Sequence, residues 1–264
     1  MRIASLFPLL AVALFGAGCS SHDTRPIPLP PKVDVPRFMG DWYVIAHIPS
    51  RPEREAFDAV PEGFEFEPRW NAAPLQWLPV VRQRSNGERV IHRLRWGLVP
   101  SWSKDEAIAT RLINARGESV AEKPSFRAAF RRRRCIVPAN GFYEWQHLSD
   151  RQGGGKQPFY IHPVAGDFFA LAGLWERWTR PADGEEIDTF TIVTTEANAA
   201  MRPLHDRMPV ILAPGDYWAW LNGATPVREA ISRRPRRPSS GNSAIRVRAI
   251  LGPMPGTLIR RSSA

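Results

Sequence analysis

From residue 78 onward, apolar side chains recur with a period of about two, in short runs separated by Gly, Pro, Asn and Asp. This alternation predicts strands over residues 78–82, 90–96, 135–138, 142–146, 159–162, 168–176, 190–195 and 209–212. Only two stretches carry helical spacing. Residues 125–133 place Phe126 and Phe130 on one face, and residues 214–221 begin with Pro214. Gly153-Gly154-Gly155 falls between two strand runs as a hairpin tip, and Asn71-Ala72-Ala73-Pro74 reads as a turn. Strands outnumber helices and follow one another closely. The expected fold is therefore α+β: an antiparallel-rich twisted sheet or barrel with short helices, over residues 66–225.

Both ends break the pattern. Met1-Arg2, an apolar run over residues 3–15, and Gly16-Ala17-Gly18-Cys19 read as a secretory signal over residues 1–19. A Cys directly after small residues resembles a bacterial lipoprotein signal, in which Cys19 becomes lipidated and ties the chain to a membrane. Residues 20–60 begin as a Pro-rich linker. They then carry Gly40-Asp41-Trp42-Tyr43, which resembles the first strand of a bacterial outer-membrane lipocalin. Such a barrel needs about eight strands, and the resemblance ends near residue 60. From residue 226 aromatics vanish and Arg, Pro, Ser and Gly dominate, so residues 226–264 read as a basic disordered tail.

Charge confirms this division. The chain carries net +10. Residues 228–264 hold nine Arg and one acid, so the body is close to neutral. Within the body the notable basic run is Arg131-Arg132-Arg133-Arg134, which reads mostly as a solvated helix end. Two cysteines, Cys19 and Cys135, make no disulfide framework. No metal or cofactor motif is present, and none is expected.

Three polar motifs remain: Asn114-Ala115-Arg116, Gly141-Phe142-Tyr143-Glu144-Trp145 and Leu204-His205-Asp206-Arg207-Met208-Pro209. Together they offer an amide, a carboxylate, an imidazole and two guanidinium groups, which suits proton transfer beside a bound anion. Taken one at a time they are ordinary. Glu144 reads as an exposed strand residue, His205 as a turn histidine satisfied by Asp206, and Asn114 as a turn residue bonded to backbone.

In order along the chain, these motifs join Arg69-Trp70-Asn71-Ala72-Ala73-Pro74, Arg95-Trp96-Gly97-Leu98-Val99-Pro100-Ser101-Trp102 and Arg134-Cys135-Ile136-Val137-Pro138. Over residues 69–224 the set resembles the SOS response-associated peptidase (SRAP) family of abasic-site processing proteins. The resemblance implies a partner, single-stranded DNA containing abasic sites, bound by a monomer. It implies catalytic roles for Asn114, which orients an amine, Glu144, which shuttles protons, and His205, which acts near the sugar. It implies DNA contacts from Asn71, Trp102, Arg116 and Arg207, with Trp102 stacking on bases. Trp96 is expected in the core.

In that family the residue after the initiator Met is a Cys, whose thiol and α-amine trap the ring-opened sugar as a thiazolidine. No Cys-Gly-Arg occurs in this sequence. Cys135 is internal and expected to be a core residue, and lipidation of Cys19 would block both reacting groups. The covalent step is therefore expected to be lost. The localisation expectations conflict, because the family works on cytoplasmic DNA and residues 1–19 direct export. Two other readings stand beside the first: an envelope lipoprotein with lipocalin-like lipid binding, and a fusion or misread gene joining foreign ends to the core.

Overall fold

The computed structural model describes residues 57–61, 72–148, 155–164, 168–223 and 245–249. The large sheet is built from β1 (Ala59–Pro61), β2 (Trp77–Gln83), β3 (Arg89–Trp96), β4 (Asn114–Arg116), β5 (Arg134–Ala139), β8 (Phe169–Thr179), β9 (Glu186–Glu196), β10 (Arg207–Pro209) and β11 (Ile211–Leu212). A second sheet of three strands contains β6 (Phe142–His147), β7 (Lys156–Pro163) and β12 (Ile245–Ala249). Two short helices, α1 (Arg127–Arg132) and α2 (Tyr217–Leu221), and 3-10 turns at Glu106–Arg111 and Pro214–Asp216 complete the regular elements among the described residues.

The large sheet closes on itself. Strands β3, β2, β5, β8 and β9 pair in that order, all antiparallel, and β9 returns to β3 through a parallel contact at Arg95↔Thr189 and Trp96↔Phe190. Closure removes two sheet edges that would otherwise be exposed to pairing. Gly97 has φ +119, and a Cβ there would lie 2.8 Å from the Ala109 carbonyl, so the turn leaving β3 requires glycine.

Alternation divides the sheet side chains between two cores. Leu78, Val80, Leu94, Trp96, Phe190 and Ile192 pack with Phe142, Ile161 and Ile245 of the small sheet. Val81, Ile91, Ile136, Leu174 and Val193 pack with Phe126 and Phe130, and with Tyr217 and Trp220 of α2. The result is small sheet, closed sheet and helices in layers, with Cys135 and Trp96 in the interior as expected.

The expected strands are all present, with different ends. The expected strand at 209–212 is two: Val210 interrupts it, donating its N–H to Val193 of β9 while its carbonyl accepts from Ala172 of β8. The expected helix at 214–221 starts with a 3-10 turn, Pro214–Asp216. The hairpin around the Gly run is β6–β7, although residues 149–154 lie outside the described set.

Three expectations need correction. The core begins by Phe57 rather than at residue 66. Phe57 is fully buried against Phe168 and Tyr217, and β1 pairs parallel to β3. The tail is not disordered throughout, because Ile245–Ala249 pair with β7 over five register positions. The arginine run is solvated only in part. Arg131 and Arg132 are exposed, but Arg133 binds Glu176 at 2.5 Å. Arg134 is buried with its guanidinium over the Phe130 and Trp220 rings, and burial lowers it to about 10. The signal, Cys19, the lipocalin-like Gly40-Asp41-Trp42-Tyr43 with the rest of residues 20–56, and Asn71 lie outside the described residues.

Candidate functional site

Register fixes which residues share a face. Asn114 lies opposite Ile192 and Arg116 opposite Thr194, so both project from the face of β9 that packs toward the small sheet. Arg207 lies opposite Glu196, two residues on and on the same side. Glu144 follows Phe142 by two on β6 and points the same way, toward that core. Gln146, two further on, donates to the Pro203 carbonyl at 3.2 Å and ties β6 to the loop carrying His205. Asn114 and Arg207 thus share the face of β9 turned to the small sheet, and Glu144 faces back from that sheet, close enough to Asp206, the neighbour of His205, for the two carboxyls to act on each other.

Glu144 is only 2% exposed, which overturns the reading of a surface strand residue. Burial raises its carboxyl to about 8, with a smaller push from Asp206 and a partial offset from the Trp145 N–H. Among the described residues its Oε1 has no hydrogen-bond partner, and neither do Oδ1 and Nδ2 of Asn114, although all three atoms are buried. Buried polar atoms left unpaired are rare in folded proteins because each costs about 1–3 kcal/mol. Asn114 is the one residue with both side-chain polar atoms in this state; single atoms of Gln83, Arg95, Arg133 and Thr191 share it elsewhere among the described residues.

His205 is held from two sides. Its Nδ1 lies 3.0 Å from the Arg207 N–H and 2.8 Å from Asp206 Oδ1. The two contacts need different tautomers. With Nδ1 accepting from Arg207, the ring carries its proton on Nε2 and donates there. With Nδ1–H donating to Asp206, Nε2 carries no proton and is the acceptor of the ring. The ring can therefore give or take a proton at Nε2 without turning.

Arg207 is anchored by Nη2, which donates to Glu118 Oε2 at 2.8 Å and to the Thr194 carbonyl at 3.0 Å. Arg116 is exposed at the rim. Trp102 is 60% exposed. Its loop is tied to the start of β9, with Val99 N–H on Thr189 Oγ1 at 2.9 Å and Trp178 Nε1 on the Ser103 carbonyl at 2.7 Å. The same loop is bonded to the segment leading into β4, Leu98 N–H donating to the Leu112 carbonyl at 3.1 Å. Sequence reasoning assigned no role to Glu118 or Thr194. Glu118 stood two residues beyond Arg116 in a motif already singled out, but its partner is 89 positions away. Among the described residues no group of three or more His, Cys, Asp or Glu could hold a metal ion.

Residues 43–249 match the family model described as SOS response associated peptidase (SRAP). The chain belongs to this family. The abasic site processing protein YoqW of Bacillus subtilis is 45% identical over 164 residues, covering 62% of this chain and 70% of that protein. The abasic site processing protein HMCES of Xenopus tropicalis is 32% identical over 198 residues, covering 63% of this chain and 58% of its own length. A crystal structure of a Bordetella bronchiseptica protein superposes with a TM-score of 0.63 at 28% identity, covering 79% of this chain and 98% of that one. The SRAP match extends past both limits expected for the core, in keeping with Phe57, β1 and β12. It also runs into the segment that resembles a lipocalin, which no other finding supports.

Proposed function

We propose that this chain binds single-stranded DNA at abasic sites and moves protons on the exposed sugar through Glu144 and His205. The observation that carries the reading is the buried, unpartnered set formed by Glu144 Oε1 and the Asn114 amide, beside the Arg116 and Arg207 rim. Such a set is poised for polar groups that arrive with a ligand, and the guanidinium groups suit the phosphates that flank it. Two relatives named for abasic site processing support the same substrate.

Opening the sugar breaks the C1′–O4′ bond. One proton must reach O4′ and one must leave the C1′ hydroxyl. Glu144, protonated at neutral pH because burial raises it to about 8, is the donor to O4′. His205 in the tautomer paired with Asp206 is the acceptor for the hydroxyl proton. Asn114 orients an incoming amine through its free amide.

Trapping the aldehyde as a thiazolidine needs a thiol and a free α-amine on one residue. Cys135 cannot supply them: it is fully buried in β5, burial pushes its thiol well up, and its nitrogen is a peptide nitrogen. Lipidation of Cys19, the other cysteine, would block both of its reacting groups, so on this reading the chain binds and opens the site without linking to it. The lipid-binding alternative finds no support in a five-strand closure with a parallel seam, which is unlike an eight-stranded up-and-down ligand barrel.

The test uses the 264-residue chain and a labelled single strand with one abasic site. Anisotropy is expected to show tighter binding than to the intact strand, and a denaturing gel to show no heat-stable band. Equal affinity for both strands would reject abasic-site recognition. A strong heat-stable band would reject loss of the covalent step.

A further inference from the structure

We infer that Glu118 is a positioning residue for anion binding: it holds the Arg207 guanidinium so that Nη1 faces the ligand. The inference rests on the single-stranded DNA reading above and names how that site grips phosphate. The guanidinium is fixed along one edge. Nη2 donates to Glu118 Oε2 at 2.8 Å and to the Thr194 carbonyl at 3.0 Å, and lies 3.3 Å from Thr194 Oγ1, with Nε 3.4 Å from the same hydroxyl. Among the described residues Nη1 has no hydrogen-bond partner, and it is not one of the sealed unpaired atoms.

The arrangement is rigid at its base. The Arg207 side chain is 12% exposed and rises from β10, which is paired to β9 at Glu196. The Thr194 carbonyl also accepts from Gly117 N–H at 2.8 Å, which ties the Glu118 turn to the strand that supports Arg207. Glu118 is half exposed, and its carboxyl is lowered: the hydrogen bond and charge of Arg207, with its own backbone N–H and the nearby Arg116, outweigh the opposing effect of burial. It therefore stays ionised and keeps its hold at neutral pH. A guanidinium fixed on Nη2 and Nε loses little freedom when Nη1 meets a phosphate oxygen.

Charge alone predicts the opposite effect of this carboxylate. Removing a negative group from a site that binds a polyanion should tighten binding. If Glu118 positions Arg207, removing its charge should weaken binding. The sign of the change separates the two.

The experiment measures affinity for a labelled single strand with one abasic site, as a function of salt, for wild type, Glu118→Gln, Arg207→Gln and the double variant. Glu118→Gln is expected to bind about tenfold more weakly, the effect of losing one charge-assisted hydrogen bond. Its slope of log affinity against log salt should be shallower by about 0.7, one phosphate contact on a single strand. The double variant should match Arg207→Gln alone, because Glu118 acts only through that side chain. Thermal melting checks that each variant is folded. Equal or tighter binding by Glu118→Gln with an unchanged slope overturns the inference while leaving the DNA reading intact. Failure of the wild type to bind the strand overturns both.

Discussion

A carboxyl group sealed from water holds its proton, and this sets what Glu144 does at each pH. The protonated form is the one the fold accepts; ionising it in place means desolvating a charge close to Asp206. In the unfolded chain the group titrates near its ordinary 4.5, and in the fold near about 8. Between those values the native state binds more protons than the unfolded state. Stability contributed by protonated Glu144 is therefore complete below the unfolded value and drains away as pH rises through the folded value. Glu144→Gln keeps the shape and removes the titration. Melting from pH 5 to pH 8.5 should show the wild type losing about 5 °C or more beyond any loss in the variant. Parallel slopes for the two proteins would place the Glu144 proton elsewhere. The same variant should slow sugar opening by about a hundredfold or more, read by trapping the aldehyde with an aminooxy probe.

At the scale of elements, the site depends on how tightly β6 lies on β7. Gly141 precedes β6, and a Cβ there would press on the Ile161 carbonyl and come within 2.5 Å of the Tyr160 ring. Gly141→Ala must push β6 away from its partner three residues before Glu144. Its expected loss is about 1–3 kcal/mol in denaturant unfolding, with abasic-strand affinity falling alongside. Unaltered stability would mean that the hairpin yields freely. Strands such as β2, β3, β8 and β9 were legible from alternation, because each buries a face and the period of two is dictated by the pleat. What alternation could not give was the parallel seam of β3 on β9. Its register is fixed by the Trp96–Phe190 stack and by Trp96 Nε1 on the Ile113 carbonyl at 2.9 Å, contacts between distant segments. β4 was missed because three residues are too few to show a period. The trio Asn114, Glu144 and His205 was legible only as part of an ordered set of motifs. The burial of Glu144 was not, because on either side of it Tyr143 and Trp145 gave no hint of which face would be covered.

At the scale of the molecule, the charge-rich C-terminus is not a passenger. Read by composition, residues 226–264 are Arg, Pro, Ser and Gly; read by alternation, Ile245-Arg246-Val247 is a strand with apolar residues on one side. In the fold Ile245 is buried in the core shared by the two sheets, Val247 packs against it, and Arg246 is exposed. β12 also pairs one edge of β7, whose other edge holds β6 and therefore Glu144. Losing β12 would uncover apolar surface and leave β7 unpaired on one edge, beside the strand that carries Glu144. Burial of an Ile and part of a Val contributes about 2 kcal/mol or more, so a chain ending at residue 226 should melt about 4–8 °C lower than the full chain. Ile245→Ala should reproduce about half of that fall, because it removes the side chain and keeps the strand pairing. If the truncated chain melts with the full one, β12 adds nothing to the core and a freely disordered tail is restored. If truncation lowers melting but Ile245→Ala does not, backbone pairing rather than the buried side chain is what closes the small sheet over the site.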